Sequence, residues 1–99
     1  MSVKSLTVEK TKIKVKEPKR YKVVMYNDDF TSMDFVVYIL VNIFRKRQDD
    51  AVNIMMTVHK NGSAIVGIYS YDIAKTRVMK ANALAQEENY PFKIEVEEV

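Results

Sequence analysis

The sequence predicts an α+β fold: a two-layer β-α-α-β-α-β domain in which a three-stranded antiparallel sheet is covered by three helices on one face. Three observations predict it. Hydrophobic spacing alternates along the chain between extended runs and the helical period, giving three segments of each kind. The last run places Phe92, Ile94 and Val96 in alternation with Lys93, Glu95 and Glu97, the pattern of a strand with one face in water. Finally, 99 residues of which 47% are hydrophobic supply one core and leave little room for a second.

Taken in order, residues 1–19 read as a mobile basic N-terminal extension and residues 20–99 as the folded domain. In the extension Lys alternates with Thr, Ile and Val, large apolar residues are sparse, and Pro18 closes the segment. Residues 1–20 hold seven Lys or Arg and two Glu, a net +5, whereas residues 21–99 hold nine basic and eleven acidic residues, a net −2. The overall +3 is therefore a property of the leading segment.

Tyr21 to Tyr26 is rich in strand formers and fits a mostly buried strand. Asn27-Asp28-Asp29 breaks it, because short polar side chains bond their own backbone in turns. Thr31 is the expected N-cap of the first helix, with Asp34 in the capping-box position. Met33, Val36, Val37, Leu40, Ile43 and Phe44 form its apolar stripe, and Arg45-Lys46-Arg47 suits its negative end. Asp49 or Asp50 is expected to cap a second, shorter helix with Ala51, Ile54, Met55 and Val58 on one face. Gly62 suits a left-handed stop. Ser63 to Tyr69 reads as a β-branched strand. Ser70 caps a third helix with Ile73, Ala74, Val78, Ala81, Leu84 and Ala85 inward, and Asn89-Tyr90-Pro91 ends it.

Composition excludes several kinds of chemistry. The chain has no Cys, so disulfides, a thiol nucleophile and a Cys-ligated zinc are ruled out. One His and no EF-hand spacing leave no metal site to expect. No activated Ser elbow or Gly-rich phosphate loop is present, so neither catalysis nor a cofactor is expected. The opening Met1-Ser2-Val3-Lys4 lacks a signal-peptide core, and no apolar run approaches the roughly 18 residues of a membrane span. A monomeric cytoplasmic protein without a membrane is the expectation. The basic charge lies outside the folded part, so nucleic acid is not an expected partner.

Binding fits better. Met55 and His59, four residues apart, share a helix face, one apolar and one with a polar tip. Together with the Asn27-Asp28-Asp29 loop they are read as the two halves of one small pocket. Each piece also has an ordinary explanation: turn formation for the loop, core filling for Met33 and Met55, a surface histidine for His59. Capping accounts for Thr31 and Asp34 but leaves Asn27 and Asp28 without a structural need.

The pattern as a whole resembles the ClpS adaptor family. The resemblance rests on Tyr21-Lys22-Val23-Val24-Met25-Tyr26-Asn27-Asp28-Asp29-Phe30-Thr31-Ser32-Met33-Asp34-Phe35-Val36 and on Ala51-Val52-Asn53-Ile54-Met55-Met56-Thr57-Val58-His59. Gly62, Val66-Gly67-Ile68-Tyr69, Asp72-Ile73-Ala74-Lys75-Thr76-Arg77 and Tyr90-Pro91-Phe92 complete it, over roughly residues 18–97. Ser32 stands where the family often has Pro, and Phe92 where it often has Leu. The resemblance implies a non-catalytic adaptor of the bacterial N-end rule. Such an adaptor binds proteins whose first residue is Phe, Leu, Tyr or Trp and hands them to a Clp AAA+ ATPase–protease. It implies that Asn27 and His59 hydrogen-bond the free α-amino group, with Asp28 assisting. Asp29 and Thr31 would shape the loop and rim, and Met33, Val36, Met55, Val58 and Phe92 would wall the side-chain pocket. Met33 would act as gatekeeper against β-branched residues. Asp72 and Arg77 would dock on the N-terminal domain of the ATPase, and the arm at 1–17 would be engaged during hand-off. The alternative is a small α+β interaction module without an α-amine pocket.

Overall fold

A computed structural model of the chain describes residues 18–99. The expected extension falls outside the described residues as far as residue 17. The element order is β1 (Tyr21–Tyr26), α1 (Met33–Asn42), α2 (Gln48–Asn61), β2 (Ser63–Tyr69), α3 (Tyr71–Glu87) and β3 (Lys93–Glu98). The strands form one open sheet in the order β2-β1-β3, and β1 pairs antiparallel with both neighbours. The first strand is thus central, which places the loop that follows it at the middle of one sheet end.

All three helices cover one face. Val23 and Met25 of β1, each 0% exposed, meet Val66 of β2 and Ile94 of β3 in a single apolar cluster with the helices. Into it α1 contributes Val36, Ile39 and Leu40, α2 contributes Ala51 and Val58, and α3 contributes Ala74, Val78, Ala81 and Ala85. Small residues on α3 let that helix lie close over β1 and β3, while α2 lies against α1 and β2. Ile39, outside the expected stripe, is fully buried, whereas Met33 and Ile73 are exposed.

The other face is open. Lys22, Val24 and Tyr26 lie there beside Ile68, Ile65 and Ser63 of β2 and Glu97, Glu95 and Lys93 of β3. The Tyr26 hydroxyl donates to Glu97 Oε2 at 2.8 Å, and the Lys93 ammonium stands 4.8 Å from its ring centroid. The tyrosine side chain therefore stretches back along the strand past Val24, which is buried although it faces away from the helices. An irregularity in the β1–β2 register between Val23 and Val24 accommodates the extra residue of β2.

Helix ends differ from the expectation in three places. Ser32, not Thr31, caps α1, its Oγ accepting the Phe35 N–H at 3.1 Å. Thr31 is held instead by Asp28. The helix also stops at Asn42, before the basic run. Arg45 adopts φ 58°, and the Lys46 N–H reaches back to Leu40 O at 3.0 Å, closing the last turn. The second helix, at 14 residues, is longer than the first, at 10. Arg47 occupies its N-cap position, and Asp49 and Asp50 lie inside the first turn, where their charge still meets the positive helix end.

Candidate functional site

The loop after β1 is built by Asp28. The N–H groups of Phe30 and Thr31 donate to its Oδ1 at 2.8 and 2.7 Å, and the Thr31 hydroxyl donates to its Oδ2 at 2.8 Å. Burial pushes this carboxyl up. Hydrogen bonds from the Thr31 and Phe30 backbone and from the Thr31 hydroxyl outweigh that and hold it below its ordinary value. Asp28 thus has the structural need that the sequence reading denied it. Its spacing from Thr31 was the available signal, since Asp bonding the backbone two and three residues on is ordinary turn chemistry.

The loop delivers the chain to Ser32 and so fixes where α1 begins. Met33 and Val36, three residues apart, then face the same way, with Met33 45% exposed and Val36 buried. The second half of the site comes from the end of α2. Gly62 takes the left-handed conformation at φ 93°, and its N–H bonds Val58 O at 2.9 Å. The Asn27 N–H in turn bonds Gly62 O at 2.9 Å. This backbone tie fastens the end of β1 to the end of α2 and brings Asn27 beside His59. Phe92, just before β3, is held edge-on against Phe35 at 5.8 Å.

These elements enclose a cavity of about 190 Å³. Around it the structure gathers all ten residues read as amine-binding, wall or rim: Asn27, Asp28, Asp29, Thr31, Met33, Val36, Met55, Val58, His59 and Phe92. Tyr26 joins them; no feature of the sequence marked it. Its lining combines amide, carboxylate and imidazole side chains from Asn27, Asp28, Asp29 and His59 with the apolar side chains of Met33, Val36, Met55, Val58 and Phe92. Asn27 and His59 are exposed, and neither side chain hydrogen-bonds another described residue. Both side chains line the cavity with their hydrogen-bonding capacity unspent on other described residues. Among the described residues no group of three or more His, Asp or Glu converges as metal ligands would.

Asp72 and Arg77 lie elsewhere, in a separate groove between α3 and the end of α1 that also includes Ile43, Arg45, Ile73 and Lys80. Asp72 is exposed in the first turn of α3. Arg77 has an internal role as well: its guanidinium stacks 5.3 Å from the centroid of Tyr69. Burial pushes the Tyr69 phenol up, and Arg77 partly opposes that.

Comparison with known proteins identifies the family. The family model described as ATP-dependent Clp protease adaptor protein ClpS matches residues 16–95. The chain is 48% identical over 90 residues to an ATP-dependent Clp protease adapter protein ClpS of Clostridium acetobutylicum, covering 91% of this chain and 89% of that one. It is 49% identical over 83 residues to the ClpS of Treponema denticola, covering 84% and 82%. The structure of Agrobacterium tumefaciens ClpS2 bound to L-phenylalaninamide superposes with a TM-score of 0.80 at 38% identity, over 84% of this chain and 100% of that one.

Proposed function

The chain belongs to the ClpS family of Clp protease adaptors, and from that premise we propose that its cavity captures proteins by a free, bulky N-terminal residue. It is an adaptor and not an enzyme. The bound residue is Phe, Leu, Tyr or Trp, and the adaptor delivers the captured chain in the cytoplasm to the N-terminal domain of a Clp AAA+ ATPase. The observation that carries this reading is the cavity of about 190 Å³ whose lining joins polar acceptors to apolar side chains. Drug-sized sites run from about 300 Å³ upwards, so this one suits a single side chain. The binding of L-phenylalaninamide, an aromatic residue with a free amine, by a relative of the same fold supports it.

The division of labour follows from donor and acceptor chemistry. An α-ammonium carries three donors and no acceptor. The Asn27 carbonyl oxygen and a His59 ring nitrogen accept two of them. Both lone-pair-rich oxygens of Asp28 already serve the loop, so Asp28 assists through its negative charge and through water. Asp29 and Thr31 form the rim. Met33, Val36, Met55, Val58 and Phe92 receive the side chain. Met33 at the mouth passes a linear CH₂ and rejects a branch at the β-carbon, which excludes Ile and Val. A charge-assisted hydrogen bond contributes roughly 1.5–3 kcal/mol and burial of one large side chain a similar amount. After ordering costs, a Kd near the micromolar range, about −8 kcal/mol, is the expectation.

Fluorescence anisotropy tests the proposal with three peptides that differ only at the first position: free Phe, acetylated Phe and free Ala. The first binds near micromolar, and the other two bind at least a hundredfold more weakly. Equal binding of all three would sink the α-amine reading and leave a plain interaction module.

A further inference from the structure

Across the first turn of α1 from the proposed amine pocket lies a second, shallow and open cavity, of about 470 Å³, that the proposed function does not use. Asp34, Phe35 and Tyr38 line it from α1, and Leu84, Glu88 and Tyr90 from the end of α3 and beyond. Three of its lining residues, Phe35, Tyr38 and Tyr90, are aromatic. The rings of Phe35 and Tyr90 lie 5.0 Å apart, and Tyr38, 53% exposed, stands at the edge. Two exposed carboxylates, Asp34 and Glu88, rim it, and neither forms an ion pair with another described residue. Aromatic rings and free carboxylates lining one cavity fit a Lys or Arg side chain. The alkyl stem lies on the rings, and the cation meets ring faces and carboxylates together. An anion would be repelled, and a plain apolar group would desolvate the carboxylates without pairing them.

Position selects the occupant. Met33 lines the amine pocket, and its sequence neighbours Ser32 and Asp34 line the second cavity. Phe35, part of the second cavity, rests on Phe92, part of the first. A chain held by its first residue and leaving over the Met33 lip crosses α1 at this turn. A helix with its side chains is about 10–12 Å across, and an extended chain covers roughly 3.3 Å per residue. Three or so residues therefore bridge the two cavities. We infer that the second cavity is a subsite for the captured protein, taking a Lys or Arg side chain at its fourth or fifth residue. The inference rests on the amine-pocket reading and adds a second determinant to it.

The test uses peptides with a free N-terminal Phe and Lys, Ala or Glu at positions four and five. Their binding to the full chain and to its Tyr38→Ala/Glu88→Gln variant is read by anisotropy. With the unaltered chain the Lys peptide binds three- to tenfold tighter than the Ala peptide, and the Glu peptide binds weakest. In the variant the Lys advantage falls below twofold while the Ala peptide keeps its affinity. A Lys advantage that survives the double substitution, or that is as large with Lys at position two, overturns the subsite. Tight binding of all three peptides alike overturns the subsite alone, and binding of none overturns the amine pocket with it. If replacing Lys10, Lys12, Lys14 and Lys16 by Gln in the full chain raised Lys-peptide affinity, the cavity would belong to the chain's own lysines, and the assignment would fall.

Discussion

Replacing Asp28 by Ala removes three hydrogen bonds to a charged acceptor, and the expected cost is about 1 kcal/mol, the usual size for loss of a cap-type side chain. The effect depends on pH in a definite direction. Folding lowers the Asp28 pKa, so its contribution is complete above the ordinary, unfolded value of 3.8. It is lost as pH falls through the folded value. Melting curves of the two proteins should therefore stand apart at pH 7 and converge towards pH 2; a constant gap would show that the charge of Asp28 stabilises nothing. Asn27→Ala separates binding from stability. Its structural bond to Gly62 is made by the backbone and survives, so the melting temperature holds while peptide affinity falls tenfold or more. At this scale the sequence named the pocket residues but misjudged Asp28. Residue type and spacing mark which groups converge, whereas how an acceptor's lone pairs are divided between loop and ligand is settled only by distances.

The two glycines show why element boundaries were less legible than elements. At Gly62 a side chain would meet no neighbour, and only the φ of 93° objects. Gly62→Ala should cost about 1–2 kcal/mol. Asn-Gly after a helical stripe signalled that constraint. Gly67 lies inside β2, and a Cβ there would collide with the Tyr69 ring two residues on, which leans across it. That ring is held at 6.2 Å from Phe44 and under the Arg77 guanidinium, so it cannot swing aside freely. We predict that Gly67→Ala costs about 1–3 kcal/mol, as overpacking does. The Gly67→Ala/Tyr69→Ala pair should destabilise by clearly less than the sum of the single changes; additive urea midpoints would mean that the ring is not the obstacle. Nothing in the sequence of β2 announced this contact, because the ring's position is fixed by Phe44, just beyond α1, and by Arg77 of α3. The stop of α2 at Asn61-Gly62 was legible, whereas the N-cap of α1 was misplaced for a similar reason. Ser32 and Thr31 are equally good caps in isolation, and Asp28 engages Thr31 and leaves Ser32 to the helix.

Across the molecule, the cavity proposed to take the amine and the groove with Asp72 and Arg77 sit at opposite ends of β1. The pocket follows Tyr26, whereas α3 starts beside Tyr69, which pairs with Tyr21. Six strand residues at about 3.3 Å each put roughly 20 Å between them. What lies between is a close-packed core in which Val23, Met25, Ile39 and Leu40 are 0% exposed. Such a core offers neither a hinge nor a second packing, so binding at one end should not change affinity at the other. This suits an adaptor that must hold cargo and dock at once. Arg77 is a poor probe of the docking proposal, since its loss also unstacks Tyr69; Asp72, exposed and free of ion pairs with other described residues, is a clean one. Asp72→Lys should weaken binding to the isolated N-terminal domain of a Clp ATPase tenfold or more while the free-Phe peptide binds within twofold of the unaltered affinity. His59→Ala should do the reverse, abolishing peptide binding while the circular dichroism spectrum and ATPase docking persist. Titration of each partner in the presence and absence of the other, by calorimetry, completes the cycle. A coupling larger than about 1 kcal/mol between the two sites would show that the core transmits and that the ends are not independent.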